Sequence, residues 1–204
     1  MIEVIVSDLG QVILPFDFSP SRKFMAERRR SPHPFSEAET WQSLHDLHEQ
    51  HEFGSGGCSP EEFYEHVVND LQIDASYEEF CKAWSNVFRE DSAVVDLIAR
   101  ARAKHRFLLS NTNSIHWQWI LEHHGEALRI FDKLFASQEI RMVKPSEQVF
   151  RLVESETGLR PEAHLLVDDL AENIEGAIAC GWDAVLHTDA ANLERELRLR
   201  GMLD

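Results

Sequence analysis

Residues 4–13, Val-Ile-Val-Ser-Asp-Leu-Gly-Gln-Val-Ile, are the feature that most constrains how this chain can fold. The β-branched run at 4–6 is typical of a short strand that is buried on both faces. Asp8 ends the run and Gly10 follows, which suits the carboxyl edge of a parallel sheet, where ligands bind in doubly wound folds. Taken alone, the stretch is more typical of a strand followed by an Asx-type turn, and only later stretches favour a site.

The chain after residue 90 alternates between strand and helix patterns. The predicted strands are 107–109, 133–136, 165–167 and 184–186, and predicted helices cover 94–101, 114–124, 171–180 and 191–200. This alternation implies right-handed crossovers and a parallel sheet. Two of these strands end in Ser110-Asn111 and in Asp168-Asp169, so three strand ends with polar side chains are expected at one edge of the sheet, the third being that of Asp8.

Lys144 and Pro145 are predicted to open a further helix, with the proline at position N1 and Gly158 as the C-terminal stop. A lysine at such a helix start can reach the edge where the strands end. We therefore interpret this edge of the sheet as a site.

Residues 17–90 lack strand character and carry helical patterns near 20–30, 36–52, 60–71 and 76–88. Ser59, Pro60 and Glu62 predict a helix start with a possible N-cap, Pro at N1 and Glu at N3. The segment 54–57, Gly-Ser-Gly-Gly, is predicted to be a mobile loop. We interpret 17–90 as an all-helical cap inserted into an α/β core of residues 1–16 and 91–204, a Rossmann-like parallel sheet with helices on both faces.

The composition limits the classes of partner. A formal net charge of −16 argues against binding a nucleic-acid backbone, and no apolar run approaches the roughly 20 residues that span a bilayer. The chain enters a strand without a preceding basic segment, and its three cysteines are scattered, which favours a cytoplasmic protein. We expect a monomer or a homodimer.

The side chains at the strand ends suggest a reaction. An acidic pair with another strand-end carboxylate is a set of hard oxygen ligands that suits Mg²⁺. Asp8 could then attack a phosphoryl group and form an aspartyl-phosphate. Ser110 offers a hydroxyl and Asn111 a backbone N–H to phosphate oxygens, while Lys144 supplies positive charge. Each residue alone also fits a helix cap, a turn or a surface position. These structural alternatives do not explain why all of them occur together, in this order along the chain.

The sequence resembles the haloacid dehalogenase-like (HAD) hydrolase superfamily over essentially its whole length. The four matching motifs are Ser7-Asp8-Leu9-Gly10-Gln11-Val12, Leu108-Leu109-Ser110-Asn111, Lys144-Pro145, and Val167-Asp168-Asp169 with Asn173. The insertion resembles the helical cap of the first cap class. The finer likeness is to bacterial sugar-phosphate phosphatases of the α-D-glucose-1-phosphate phosphatase type and, more distantly, to the phosphatase domain of soluble epoxide hydrolase.

The resemblance implies a role for each matching residue. Asp8 would be the nucleophile and a metal ligand, and Gly10 would offer its backbone carbonyl to Mg²⁺. Asp169 would bind the metal directly, with Asp168 and Asn173 behind it. The phosphate would be held by Ser110 and Lys144, and the substrate would be a small phosphate ester, with a sugar phosphate as one candidate.

One position departs from the family pattern. Family phosphatases usually carry a second aspartate two residues after the nucleophile, which protonates the leaving oxygen and later activates water. That position is Gly10, as it can be in the sugar-phosphatase branch, so the general acid and base stay unassigned. Two alternatives remain open: a metal-independent dehalogenase, whose halide leaves without a proton, and a non-catalytic module that binds phosphate esters.

Other side chains have weaker functional interpretations. His45, His48 and His51 recur every third residue, and a polar cap helix explains them more simply than a second metal site does. His48 or His51 could still supply the missing acid. Trp117 and Trp119 are expected to pack in the core or against the cap rather than stack on substrate.

Overall fold

The computed structural model describes residues 1–30 and 36–204, and its centre is a five-stranded parallel sheet with the strand order β3-β2-β1-β4-β5. The strands are β1 (Val4–Ser7), β2 (His105–Ser110), β3 (Lys133–Ala136), β4 (His164–Asp168) and β5 (Asp183–Leu186). The predicted α/β, Rossmann-like parallel sheet is confirmed. Since β1 lies between β2 and β4, the ends of three predicted strands are neighbours.

Helices cover the sheet and form the inserted segment. Those before residue 90 are α1 (Ser19–Arg28), α2 (Glu37–Gln50), α3 (Pro60–Leu71) and α4 (Tyr77–Ser85), with a 3₁₀ turn at Phe53–Ser55. Those after it are α5 (Ser92–Arg100), α6 (Ser114–Leu128), α7 (Ser137–Ile140), α8 (Glu147–Thr157), α9 (Ala171–Ala179) and α10 (Ala190–Leu199), with a 3₁₀ turn at Pro161–Ala163.

Alternation along β1 explains its continuous apolar run. Ile5 packs in one core cluster with Val94 of α5, whereas Val4 and Val6 pack in a second cluster with Phe150 of α8. Successive side chains of a strand point to opposite faces, and both faces of this sheet are covered by helices. A strand buried on both faces needs apolar residues at every position.

The inserted helices have a core of their own, which includes Met25, Leu44, Phe63 and Phe80. Helices α2, α3 and α4 each begin with a capping box, in which a serine and the glutamate three residues later satisfy each other's free backbone N–H groups. The predicted start at Ser59 is thereby confirmed.

Two neighbouring segments of the chain connect the inserted helices to the sheet. The Asp17 backbone N–H donates to the Val87 carbonyl at 3.2 Å, and that of Arg89 donates to the Pro15 carbonyl at 2.8 Å. The chain therefore leaves and re-enters the sheet region at adjacent points. These points lie close to the boundaries 16/17 and 90/91 expected for a cap; residues 31–35 of that expected cap lie outside the described residues.

The prediction that Lys144-Pro145 opens a helix is wrong. Helix α8 begins only at Glu147, and the Lys144–Pro145 peptide is cis, in the turn before it. The residue before a proline is disfavoured in the α conformation, and both backbone groups of Lys144 bond to the side chain of Asn111. The structure also extends α6 to Leu128, and the short helix α7 was not predicted.

The loop at residues 54–57 is fastened rather than free, contrary to the expected mobile loop. The Ser137 hydroxyl donates to the Gly54 carbonyl at 2.5 Å. Gly56 has a φ of 77°, and a Cβ atom there would lie 2.5 Å from the Gln138 carbonyl oxygen. Glycine thus allows the loop to lie directly on α7. The glycine-rich composition predicted a mobile loop. The sequence does not show that this loop packs on α7, because α7 lies far along the chain.

None of the helices in the described part of the chain combines the length and apolar character needed to cross a membrane.

Candidate active site

The sheet brings the predicted site residues together at its carboxyl edge. Asp8 directly follows β1, Ser110 ends β2 and Asp168 ends β4. A cavity opens above these strand ends. The predicted residues that line it are Asp8, Gly10, Ser110, Asn111, Lys144, Asp169 and Asn173. Asp168 lies beneath the cavity, fully buried.

Lys144 is the centre of a buried ion network. Its Nζ donates to Asp8 Oδ1 at 2.5 Å and to Asp168 Oδ2 at 2.7 Å, and its side chain is only 1% exposed. Burial alone would lower the pKa of Lys144, but the two carboxylates outweigh it and raise that pKa. The ammonium group is therefore fixed in its charged form beside Asp8. An ion network this dry is costly unless every charge is paired.

Asp168 holds this network in place. Its Oδ1 accepts hydrogen bonds from the backbone N–H of Leu170 and from Asn173 Nδ2, both at 2.9 Å, and its Oδ2 accepts from Lys144. Both oxygens are thus occupied by protein donors. Asp168 orients the lysine and the start of α9, whereas Asp169 is the half-buried carboxylate beside the cavity.

The electrostatics of the two carboxylates at the cavity suit a cation. Burial raises the pKa of Asp8 to about 6, with Asp168 adding to the shift and Lys144 opposing it. Burial, and then the neighbouring Asp168, also raise the pKa of Asp169. A hard divalent cation would favour the charged forms of both groups. The donor set, two carboxylates with the Gly10 backbone nearby, fits Mg²⁺ by its chemistry.

Asn111 has a position that sequence reasoning missed. Its Nδ2 donates to the Lys144 carbonyl and its Oδ1 accepts from the Lys144 backbone N–H, each at 2.9 Å. The side-chain amide thus holds the lysine turn against the end of β2. The expected role was a backbone N–H for phosphate; nothing in the sequence links positions 111 and 144.

The inserted helices supply the other wall of the cavity, whose volume is about 800 Å³. Aromatic rings dominate this wall, with Phe18 packed 4.9 Å from both Phe16 and Trp41 between ring centroids. Trp84 and Phe88 complete it. Polar groups stand between the rings; they are His45, His48, Glu49 and Glu52.

The three histidines of α2 and its end do not form one set. His48 and His45 line the cavity, but His51 does not and stacks on His66 instead. Burial lowers the pKa of His48, although its Nδ1 lies 3.2 Å from Glu49 Oε1. Of the two histidines expected as replacements for the missing acid, His48 lines the cavity and His51 does not.

Of the two tryptophans, Trp117 packs in the core as expected, whereas Trp119 stacks on a histidine of its own helix. Trp117 is buried in the core and donates from Nε1 to Glu139 Oε1 at 3.0 Å. Trp119 stacks on His123 with centroids 3.8 Å apart. Neither ring lines the cavity.

His116 is a second residue that sequence reasoning missed. Asn113 caps α6 by accepting from the His116 backbone N–H, so its amide group is free to donate to His116 Nδ1 at 3.2 Å. The other ring nitrogen, Nε2, then donates to the Trp84 carbonyl. Burial lowers the pKa of His116 to about 3, so the ring is neutral. It joins α6 to α4 at the cavity.

Comparisons with known proteins agree with this fold. Residues 38–181 match the family model described as haloacid dehalogenase-like hydrolase. A D-ribitol-5-phosphate phosphatase of Bacteroides thetaiotaomicron is 27% identical over 205 residues, which cover 97% of both proteins. An HAD family enzyme of the same species, solved with magnesium and inorganic phosphate, has a TM-score of 0.76 and 22% identity over 92% of this chain and 95% of that one. An HAD-like hydrolase of Porphyromonas gingivalis has a TM-score of 0.82 and 21% identity over 100% of both chains.

Proposed function

Because the chain belongs to the haloacid dehalogenase-like hydrolase family, we propose that it is a Mg²⁺-dependent phosphatase of a small organic phosphate ester. The observation that carries this proposal is the placement of Asp8. Its carboxylate lies at a strand end on the cavity floor, 2.5 Å from a buried ammonium group and beside a second carboxylate, Asp169. That arrangement suits a nucleophile that must approach an anion.

Each residue at the cavity floor has a proposed part. Asp8, Asp169 and the Gly10 carbonyl would hold Mg²⁺, which when bound neutralises charge on the phosphoryl group. Lys144 stabilises the transferring group, and Ser110 holds a phosphate oxygen. Asp168 and Asn111 position Lys144 through the hydrogen bonds described above.

The proposed reaction has two steps. An Asp8 oxygen forms a bond to phosphorus while the ester P–O bond breaks, and the leaving oxygen takes the bonding pair and a proton. Water then attacks the phosphorus of the aspartyl-phosphate, so that inorganic phosphate leaves and the Asp8 carboxylate is restored. Gly10 has no side chain to serve in either proton transfer. His48 in the cavity wall, whose pKa is lowered by burial, is the candidate to accept the proton of the attacking water.

The cavity wall supports a polyol or sugar phosphate as the substrate class. Aromatic faces such as Trp41 suit the C–H surface of a carbohydrate, while Glu49 and Glu52 offer acceptors to its hydroxyl groups. A relative named D-ribitol-5-phosphate phosphatase fits the same class. We further propose that residues 17–90 act as a cap domain over a core of 1–16 and 91–204, and that this cap selects the leaving group.

The test is phosphate release from a panel of phosphorylated polyols, sugars and aryl esters, with Mg²⁺ and with EDTA. We expect Mg²⁺-dependent release that Asp8→Asn abolishes. The matched control is Asp96→Asn, which changes an exposed aspartate on α5. Release that survives EDTA would contradict the metal-dependent mechanism, halide release from a 2-haloacid in EDTA would favour the dehalogenase alternative, and binding of esters without release would favour a non-catalytic module.

A further inference from the structure

A cluster of nitrogen and oxygen ligands lies in the inserted helices, outside the cavity described above. It consists of His51, at the end of α2, and of His66 and Asp70, one turn apart on α3. One potential ligand atom of each residue lies within 4.8 Å of those of the other two. None of the three lines the cavity.

The two imidazoles of the cluster are unusually placed. Their rings are stacked, with centroids 3.6 Å apart and an interplanar angle of 13°. The Nε2 atom of His51 is buried and has no hydrogen-bond partner among the described residues. A polar atom that is removed from water without a partner destabilises the fold. A bound cation that draws on these imidazoles would relieve that cost.

We propose that His51, His66 and Asp70 bind a divalent transition-metal ion, with Zn²⁺ as the best match. Two imidazoles and one carboxylate are a known three-residue zinc set with a fourth position left for water. Nitrogen-rich sites favour Zn²⁺, Cu²⁺ or Ni²⁺, whereas the all-oxygen set of Asp8 and Asp169 suits Mg²⁺.

The geometry needs only a local adjustment. With Zn–N bonds of roughly 2.0–2.1 Å, neighbouring ligand atoms around a tetrahedral ion lie about 3.3 Å apart. Side-chain rotation can close the present spacing, because His66 and His51 are partly exposed and Asp70 is exposed. Negative charge nearby favours a cation: hydrogen bonds from Ser59 lower the pKa of Glu62, and the charge of the nearby His66 adds a smaller effect in the same direction.

The site has a structural consequence for the substrate cavity. His51 lies two residues before the turn Phe53–Ser55, and Gly57 folds back on it, so that a Cβ atom at Gly57 would lie 2.6 Å from the His51 carbonyl oxygen. Glu52 and Gly54 in this loop line the cavity. A metal ion at His51 would therefore stiffen one wall of the cavity from the outside.

The test is calorimetric titration of ZnCl₂ into the full chain with Mg²⁺ in excess, in the wild type and in an Asp8→Asn background. We expect one Zn²⁺ per chain in both. His66→Ala should weaken it by about 100-fold, because a direct ligand is worth at least as much as its supporting partners. Asp70→Asn should weaken it less, and His105→Ala, which changes a partly exposed histidine on β2, should leave it unchanged.

Cobalt gives a second readout. Co²⁺ in a tetrahedral nitrogen–oxygen site should give visible absorption in the wild type that His66→Ala removes, while circular dichroism checks that the variant is folded. Zinc binding of unchanged affinity in a folded His66→Ala variant would overturn the proposal, as would the absence of binding in the wild type. Loss of zinc binding in Asp8→Asn would place the ion in the catalytic cavity and equally overturn it.

Discussion

The floor and the wall of the cavity are built in opposite ways. On the floor, Asp168 accepts three hydrogen bonds, Lys144 donates to two carboxylates, and the side chains of Lys144 and Asp168 are almost completely buried. On the wall, aromatic rings pack against one another and Glu49 has a side chain that is 67% exposed. In the proposed function, the groups for chemistry are held on strand ends by buried hydrogen bonds, whereas the groups proposed for recognition stand on a more exposed wall.

Asp8→Asn should have the largest effect of the substitutions on the cavity floor. We expect turnover to fall by on the order of 10⁴-fold or more, because an amide cannot act as the attacking carboxylate. The thermal midpoint should stay close to that of the wild type, since an amide oxygen can still accept from Lys144. Near-normal phosphate release by the purified variant would show that the floor does not work through Asp8.

Lys144→Met tests whether the floor also holds the fold together. The change leaves Asp8 and Asp168 buried without their cation, so we expect a loss of about 3–5 kcal/mol in the free energy of unfolding. Denaturant titration measures it, and Mg²⁺ should restore part of the loss. The matched control is Lys133→Met on the exposed end of β3. Equal losses in the two variants would mean that the buried ion network contributes no more to the free energy of unfolding than an exposed lysine does.

Gly10→Asp tests the missing acid. Without a positioned acid, which typically contributes about 10²–10⁴-fold, log kcat/KM of the wild type should fall steeply as the leaving-group pKa rises. Gly10→Asp should flatten that slope. A Cβ atom at Gly10 would lie 3.0 Å from the Phe16 ring, so Gly10→Asp/Phe16→Leu is the variant with room for the new side chain. A flat line in the wild type would reveal an acid elsewhere, with His48 first to be examined.

His116→Gln tests the contact between α6 and α4 at the cavity. The pKa of His116 is about 3 in the folded protein against 6.5 for an unperturbed histidine, so the unfolded chain binds more protons between these values and stability falls as the pH falls. From pH 6.5 to pH 5 the loss should approach about 2 kcal/mol. His116→Gln should lose less over that range, whereas His105→Gln should behave as the wild type. Denaturant titrations at both pH values decide.

Trp41→Leu should produce the smallest effect, confined to selection. We expect the ratio of kcat/KM between a polyol phosphate and a small aryl phosphate to change by about fivefold, with little change for the aryl ester, because one aromatic contact is worth about 1 kcal/mol. An equal loss of kcat/KM for both substrates would mean that the wall takes part in the chemistry, so that floor and wall would not differ in function.

The parts of this molecule that the sequence predicts are those with local causes. The strand at β1 follows from its apolar run, and the start of α3 follows from Ser59, Pro60 and Glu62. The remaining features depend on distant partners. Lys144 sits in a turn because Asn111 holds its backbone, and the loop at 54–57 is fastened because Ser137 lies beneath it. Contacts between residues so far apart produce no periodic pattern in the sequence from which they could be predicted.

The neighbouring hydrogen bonds of Asp17 to Val87 and of Arg89 to Pro15 have an evolutionary consequence. Seen from the sheet, the whole inserted segment is one wide loop whose ends already meet. The entropy of closing a loop of about 70 residues exceeds that of one half as long by only about 0.6 kcal/mol. Changes in the length of this segment therefore cost the sheet little entropy, and, if the segment selects the leaving group as proposed, a new substrate preference needs changes in the insert alone.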